Sequence, residues 1–494
     1  MRYSIIIFLV AFFSIAIADN IPPGSPVSRP IFEISREMYG RCAMEYYEYS
    51  RPEIRNNVSP YLSFLSQSYS SFQLWPDIPQ KSAAAGLILE EVNYQKTSNI
   101  NFLKLFPYAH LNFTPRFSSS ILYRIDGELD NDTRYDGKTW NGIAGFPEQA
   151  TLDYNSGGFY GSFGIERISW GNANYSNLMF SSSAMPMPML SFSYRRSFFD
   201  FEMVTGFLDP LKDQLDQMEN DTAFFTRQQR YISAHSFTLK PLEGFSLSLR
   251  EAVLYGGPGR RLEVAYLFPF IWYHGQQLNS RMNDNAMAGI AADYRLRGKC
   301  WFYGEVLIDD FQADNKTRGD NEPNEIGYLA GAEIYDLIIK WTTLGFEYSR
   351  ANNWTYNQSR AQNRYINQNF PIGYTDGPDN DRISWRAGKW FTPSLRLTYS
   401  GSYRRRGEGR IDTPWTRPWL DVDNYHEQFP TGVVEKRTQN GLDILALNKN
   451  RLWGNIGLSF TDISNVNNIP GNDCHNWDFW LEIGVKIPPF IWGF

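Results

Sequence analysis

Trp477-Asp-Phe-Trp-Leu-Glu-Ile-Gly-Val-Lys-Ile487 is the stretch on which the fold turns. Trp477, Phe479, Leu481, Ile483, Val485 and Ile487 fall on one face of an extended chain. Asp478, Glu482 and Lys486 fall on the other, with Trp480 and Gly484. Successive side chains of a strand point to opposite sides, so one side of this segment is apolar and the other polar. About eleven residues of such alternation is the length a tilted strand needs to cross a bilayer. The segment therefore reads as a spanning strand of an antiparallel transmembrane β-barrel. The chain ends soon after it, at Phe494, with Pro488-Pro489 between, and these prolines are expected to stop the ladder.

The same alternation recurs from about Leu87 onward. Ser119, Ile121, Tyr123, Ile125 and Leu129 alternate with Arg124, Asp126 and Glu128. Phe245, Leu247, Leu249 and Val253 alternate with Ser246, Ser248 and Arg250, while Leu395, Leu397, Tyr399 and Tyr403 alternate with Arg396, Thr398, Ser400 and Ser402. Leu452, Ile456, Leu458 and Phe460 do so with Arg451, Asn455, Ser459 and Thr461. A soluble sandwich would share the pattern, but these strands exceed the usual five or six residues, and Tyr399, Tyr403 and Trp477 sit near strand ends, where interfacial girdles occur. An all-β barrel of roughly 14 to 18 strands fits the length after turns and long loops are allowed for. Glu251 conflicts with this register, since it falls among the apolar positions of its strand; a bulge or a strand end is expected there.

The N-terminus fits export. Met1-Arg2, the apolar run Ile5–Ile17 and Ala16-Ile17-Ala18 have the form of a secretory signal over residues 1–18. Residues 19–82 carry a different period: Ile31, Ile34, Met38 and Cys42 step by three and four, and Ser59-Pro60 opens a stripe of Leu62, Leu65, Tyr69 and Phe72. A small periplasmic or plug-like helical unit is expected there, and the barrel over 83–494. Mean hydropathy of -0.43 does not oppose a barrel, because only every second strand residue meets lipid. The formal charge of -6 excludes a strongly basic nucleic-acid binder. Cys42, Cys300 and Cys474 are an odd number and make no disulfide framework, though one bridge is possible.

Long polar connections are expected at Asp130–Ala150, Asp209–Arg227, Gln312–Asn324, Asn352–Asn380 and Gly407–Phe429. Asp209-Pro210 can cap a helix bearing Leu211, Leu215 and Met218. Gly256-Gly257-Pro258-Gly259 lacks the Lys-Ser/Thr of a phosphate loop and reads as a turn. No nucleophile elbow or zinc motif occurs, and neither His235 nor His274 has a recognisable serine motif beside it, so no catalytic, metal or cofactor site is assigned. Asp309 and Asp310, being adjacent, face opposite ways in a strand. Arg, Trp and Tyr are dense around Arg167 and Trp170, around Arg350, Trp354 and Tyr356, and around Asp381 and Arg382. Aromatic faces stack on sugar rings while Arg, Asn and acids bond hydroxyls, so these runs could line an oligosaccharide path. Arg–acid ladders inside a barrel and aromatic anchors at its rims would use the same residue types.

Several of these runs, in order, resemble the capsule-assembly Wzi family of outer-membrane proteins. They include Phe163-Gly-Ile-Glu-Arg-Ile-Ser-Trp-Gly171, Tyr266-Leu-Phe-Pro-Phe-Ile-Trp-Tyr-His-Gly-Gln-Gln-Leu-Asn279, Tyr303-Gly-Glu-Val-Leu-Ile-Asp-Asp-Phe-Gln312, Glu347-Tyr-Ser-Arg-Ala-Asn-Asn-Trp-Thr-Tyr356 and Gly373-Tyr-Thr-Asp-Gly-Pro-Asp-Asn-Asp381. The resemblance implies an eighteen-stranded barrel with a small helical N-terminal part, in the bacterial outer membrane with loops at the cell surface. It further implies a non-catalytic, monomeric binder of capsular or other surface polysaccharide, with outer-membrane lipids around it. Expected to contact the glycan, or to form a lumenal network, are Arg167, Trp170, His235, His274, Glu305, Asp309, Arg350, Trp354, Tyr356, Asp381 and Arg382. The alternatives are a porin for sugars or other small solutes and an outer-membrane hydrolase.

Overall fold

The computed structural model describes residues 36–38, 41, 79–95, 99–210, 229–257, 259–280, 282–312, 321–420, 425–448 and 451–493. The secretory signal, most of the helical unit, Cys42 and the helix expected after Asp209-Pro210 lie outside these residues. The strands, in chain order, are β1 (Ser82–Gln95), β2 (Asn99–Asn112), β3 (Phe117–Asp126), β4 (Thr139–Trp140), β5 (Ile143–Ser156), β6 (Phe159–Glu166) and β7 (Met187–Arg195). They continue as β8 (Phe199–Leu208), β9 (Gln229–Leu242), β10 (Phe245–Gly257), β11 (Asn285–Leu296), β12 (Cys300–Asp310), β13 (Glu325–Tyr335) and β14 (Thr342–Ala351). The remainder are β15 (Ile366–Asn367), β16 (Phe370–Pro371), β17 (Asn380–Thr392), β18 (Leu395–Arg406), β19 (Glu435–Asn448), β20 (Leu452–Ser464) and β21 (Cys474–Gly493). Without the two-residue β4, β15 and β16, eighteen strands make an antiparallel wall, closed where β1 pairs with β21. Cys300 and Cys474 are both free.

Alternation sorts the two faces as the sequence predicts. On β3, Ile121 and Tyr123 are exposed on the outside, whereas Leu122, Arg124 and Asp126 are buried within. On β10 and β11, Leu249 and Ile290 stand opposite each other, at 54% and 50% exposure, on the lipid side. One rim carries only short turns, and the other carries the long connections together with the three-residue link between β1 and β2. Of the expected long connections, the first is shorter than predicted, because β5 already begins at Ile143.

Two further long connections, 167–186 and 258–284, interrupt the alternation. The Pro488-Pro489 expectation also fails, for a clear reason. Strand β21 continues through both prolines to Gly493, and its register against β1 shifts between Ala85 and Leu87. On its other side the ladder with β20 ends at Val485, so there no neighbouring strand calls for the N–H that the prolines lack.

Part of the helical unit is visible inside the wall. Residues 36–38 are helical, and Arg36 is fully buried, donating from Nε to Glu333 (2.6 Å) and from Nη2 to the Tyr303 hydroxyl (3.1 Å). Arg41 pairs with Asp336, in the short turn between β13 and β14, at 2.7 Å. This piece therefore enters the lumen from the short-turn rim.

An Ile290→Arg substitution puts a cation on the lipid face in mid-strand, and it should lower barrel stability by about 2–4 kcal/mol. Equilibrium unfolding in lipid vesicles measures the loss.

Candidate functional site

The lumen is filled by chain that leaves the wall and turns inward. Every residue from Ala173 to Met187 is buried, and so are Asn353–Asn357, Ala361–Asn367 and Phe370–Thr375. Backbone inside a barrel must find hydrogen-bond partners, and here the strands supply them as side chains. Glu347 on β14 accepts the backbone N–H groups of Asn174 (2.6 Å) and Tyr175 (3.1 Å). Glu305 on β12 accepts that of Leu178 (2.9 Å), and Asp309, near the end of the same strand, accepts that of Tyr356 (2.6 Å). The Tyr356 hydroxyl then donates to the Leu178 carbonyl (2.7 Å), joining the two inward segments. Arg230 on β9 donates to the carbonyls of Gln362, Arg364 and Ile366.

Several expected site residues belong to this lumenal fabric. Arg167 pairs twice with Glu148, at 2.6 and 2.8 Å, and also donates to the carbonyls of Ser182 and Ala184. Trp170 is buried edge-on against Phe180, with ring centroids 4.9 Å apart. Glu305, Asp309 and Tyr356 have the roles just given. Asp310 is exposed while Asp309 is buried, so the pair faces opposite ways as predicted. Below the inward segments a cavity of about 520 Å³, bordered by Trp170, Asp200, Lys240 and Glu305, reaches the short turn at Glu243–Gly244.

The mouth beside β17 and β18 holds a second set. Arg382 donates to Asp376 from Nη2 (3.1 Å) and lies over the Tyr175 ring, 4.0 Å from its centroid. Arg404 donates to Asp376 (2.9 Å) and Glu435 (2.7 Å). Asp381 pairs with Arg405 at 3.0 and 2.5 Å. Burial alone would raise the Asp376 carboxyl, but the guanidinium groups of Arg382 and Arg404 outweigh it and hold the group well below the usual carboxylate range.

His235 and His274 are placed elsewhere. Both are on the outside of the wall, away from lumen and mouth. His235 sits 3.4 Å from Glu251 and against the Tyr273 ring, and the backbone N–H of His274 donates to Glu251 (2.9 Å).

At the long-loop rim, Arg350 and Trp354 come together with residues the sequence reading did not single out. A cleft of about 200 Å³ is bordered by Asn321, Asn324, Arg350, Asn352, Asn353, Tyr425, His426, Glu427 and Phe429. Three donors converge on Glu427 Oε1: Asn353 Nδ2 (2.8 Å), the Trp354 indole N–H (3.0 Å) and the Tyr425 hydroxyl (3.0 Å). Among the described residues no protein donor takes Oε2. Burial pushes the Glu427 carboxyl up despite these donors. Trp354 is itself buried, edge-on to Trp415 and Trp419, so it holds Glu427 rather than offering a face. The partly exposed rings of the cleft are Tyr425 and Phe429, the latter with the Arg350 guanidinium 3.6 Å from its centroid. Glu427 lies in a loop without periodicity; only its place among Tyr425, His426 and Phe429 could have marked it.

A profile of the capsule assembly protein Wzi family matches residues 112–477, most of the chain. The chain belongs to this family. No curated protein sequence matches it significantly. Among solved structures, it is similar to Escherichia coli Wzi, an outer-membrane protein involved in group 1 capsule assembly and a carbohydrate-binding β-barrel. That match has a TM-score of 0.61 at 13% identity, over 94% of this chain and 98% of that one. Pseudomonas aeruginosa OprD matches with a TM-score of 0.46 and 10% identity over 83% of this chain and 94% of that one. Acinetobacter baumannii OccAB2 matches with a TM-score of 0.47 and 11% identity over 83% and 98%. Fold and membership of the Wzi family together make this an outer-membrane β-barrel.

Asp376 gives a pH test of the mouth. A depressed carboxyl stabilises the fold fully above about pH 5, since an unfolded aspartate titrates near ~3.9. The contribution is lost as the pH falls toward the lower folded value. Asp376→Asn leaves Arg382 and Arg404 without their shared acid and should cost about 3–5 kcal/mol at pH 7. The difference from the parent should shrink in acid, as measured by denaturant midpoints at the two pH values.

Proposed function

We propose that this protein binds surface polysaccharide at the long-loop rim, facing the cell exterior, and does so without catalysis. The observation that carries this reading is the Glu427 cleft. One carboxylate oxygen is fixed by three donors and the other is left for a ligand hydroxyl, beside amides, a guanidinium and two partly exposed rings. Such a set satisfies a sugar: rings cover its apolar face while fixed polar groups take its hydroxyls. Membership of the capsule assembly protein Wzi family supports the same ligand class. Arg406 lies near Arg404 and Arg410 and adds a cation to the mouth. The filled lumen favours a binder over a solute pore. On the outer wall, His235 faces Glu251 and Tyr273, an arrangement that supplies no activated hydroxyl for hydrolysis.

Binding of purified surface polysaccharide to the barrel in lipid nanodiscs tests the reading. Glu427→Ala should weaken it by about 10- to 100-fold, the value of a hydrogen bond to a charged group. Trp354→Ala should weaken it in the same direction by freeing Glu427. Parent protein that binds no polysaccharide and conducts steadily in planar bilayers would instead be a pore.

A further inference from the structure

Among the described residues, the connection between β10 and β11 is unlike the other long ones. It turns down the outside of the wall. On β9 and β10 the outward positions begin as ordinary lipid-facing residues: Phe237, Leu239 and Leu249 are all exposed. Nearer the long-loop rim the same register carries Tyr231, Ser233 and His235 on β9 and Glu251, Val253 and Tyr255 on β10, and most of these are buried. The cover is the segment 262–280, with a 3-10 turn at Val264–Leu267 and a helix at Tyr273–Ser280.

Its inner face is a ring cluster. Tyr231 stacks on Tyr255 (5.3 Å), Tyr255 meets Tyr266 (5.0 Å), and Tyr266 meets Tyr273 edge-on (5.5 Å). Leu262 and Ile271 pack against the same group. Glu251 binds the helix start, accepting the backbone N–H groups of Tyr273 (2.8 Å) and His274 (2.9 Å). This resolves the register conflict at Glu251. Strand β10 pairs in unbroken register with β9 from Leu247 to Gly257, so neither a bulge nor a strand end is used. The carboxylate remains on the lipid side and is covered.

The opposite face of the segment is uncovered and largely apolar, His274 and Asn279 being its exposed polar residues. Val264 is 77% exposed, Phe268 55%, Phe270 77%, Trp272 68% and Leu278 64%. Phe270 also lies on Phe201 of β8 (5.7 Å), so this face continues the lipid-facing wall. We propose that residues 262–280 form a latch embedded in the membrane leaflet at the long-loop rim, its tyrosine face on the barrel and its Val264–Trp272 face against lipid acyl chains. Large rings at the boundary of water and hydrocarbon suit that position. In water the same patch would be an unusual cost for a barrel that already has a hydrocarbon-facing wall beside it. The chain that follows the latch reaches the inside: Asn363 donates to the carbonyl of Asn283 (2.8 Å), and Asn285 donates to that of Asn363 (3.1 Å). Lipid contact at the outer wall is thus joined to the segment that fills the mouth.

The test is nitroxide accessibility in lipid vesicles. Spin label is placed at Trp272→Cys and, separately, at Phe268→Cys and Leu278→Cys, in full-length protein with Cys42, Cys300 and Cys474 changed to Ser. Leu239→Cys serves as the lipid reference and Glu408→Cys, on an exposed loop, as the water reference. Labels on the latch should relax with dissolved oxygen, like the Leu239 label, and resist a water-soluble nickel complex. Relaxation by nickel, as at Glu408, would overturn the proposal. Dipolar broadening between labels on two copies would overturn it as well, because a second chain would then be the cover. Three label sites keep the outcome decisive if one variant does not fold.

Discussion

Backbone that leaves the strands of this protein is held by carboxylates that point from the wall, and the rest of the structure depends on that arrangement. Closing the sheet through β1 and β21 removes every edge but leaves the inward segments no ladder to join. Glu347, Glu305 and Asp309 take the amides of Asn174, Tyr175, Leu178 and Tyr356. Asp379 does the same for Gly409 and Thr431 at the mouth, and Glu251 does it on the outside for the helix start at Tyr273. A hydrogen bond to a charged group is worth roughly twice a neutral one, and each such acid can hold two donors in one direction. The device is the same whether the segment fills the lumen or lies on the outer wall.

Arginines complete the fabric by taking carbonyls and balancing charge. Arg230 gathers three carbonyls of the Ala361–Ile366 region, Arg167 takes two from the other inward segment, and Arg36 joins the N-terminal piece to Glu333. A lumen packed in this way is stiff, because removing any one group leaves a buried partner unsatisfied. Stiffness under the mouth matters for the rim cleft: Asn353 and Trp354, which orient Glu427, lie three and two residues before the clamped Tyr356.

The wall was legible in the sequence because strand identity is a local property. Ile121 and Tyr123 against Leu122 and Arg124 give the facing of β3 within a few residues, and the segment at Trp477–Ile487 does the same for β21. Segments held by distant partners leave no such trace. Ala173–Met187 has no period at all; its amides answer to Glu305 and Glu347, more than a hundred residues along the chain. Pro488-Pro489 misled for a related reason, since whether a proline ends a ladder depends on where the neighbouring strand stops. The outer latch did leave a sign. Glu251 in an apolar register was a real conflict, and its resolution lay in a helix about twenty residues on, not in the strand.

The same logic separates candidate ligand groups from structural ones. A carboxylate that holds buried backbone cannot turn to a sugar without releasing that backbone into an unsatisfied state. Glu305 and Asp309, prominent in the sequence, each hold a buried amide through one oxygen, and Arg167 and Tyr356 share the constraint through their carbonyl partners. Asp381 is joined to Arg405, and Arg382 to Asp376. Glu427 differs: its donors crowd one oxygen, they come from side chains rather than from buried backbone, and the other oxygen borders the cleft. A ligand hydroxyl can therefore bind there at no cost to the lumen, which makes the rim the part of this barrel able to exchange partners while the interior stays fixed.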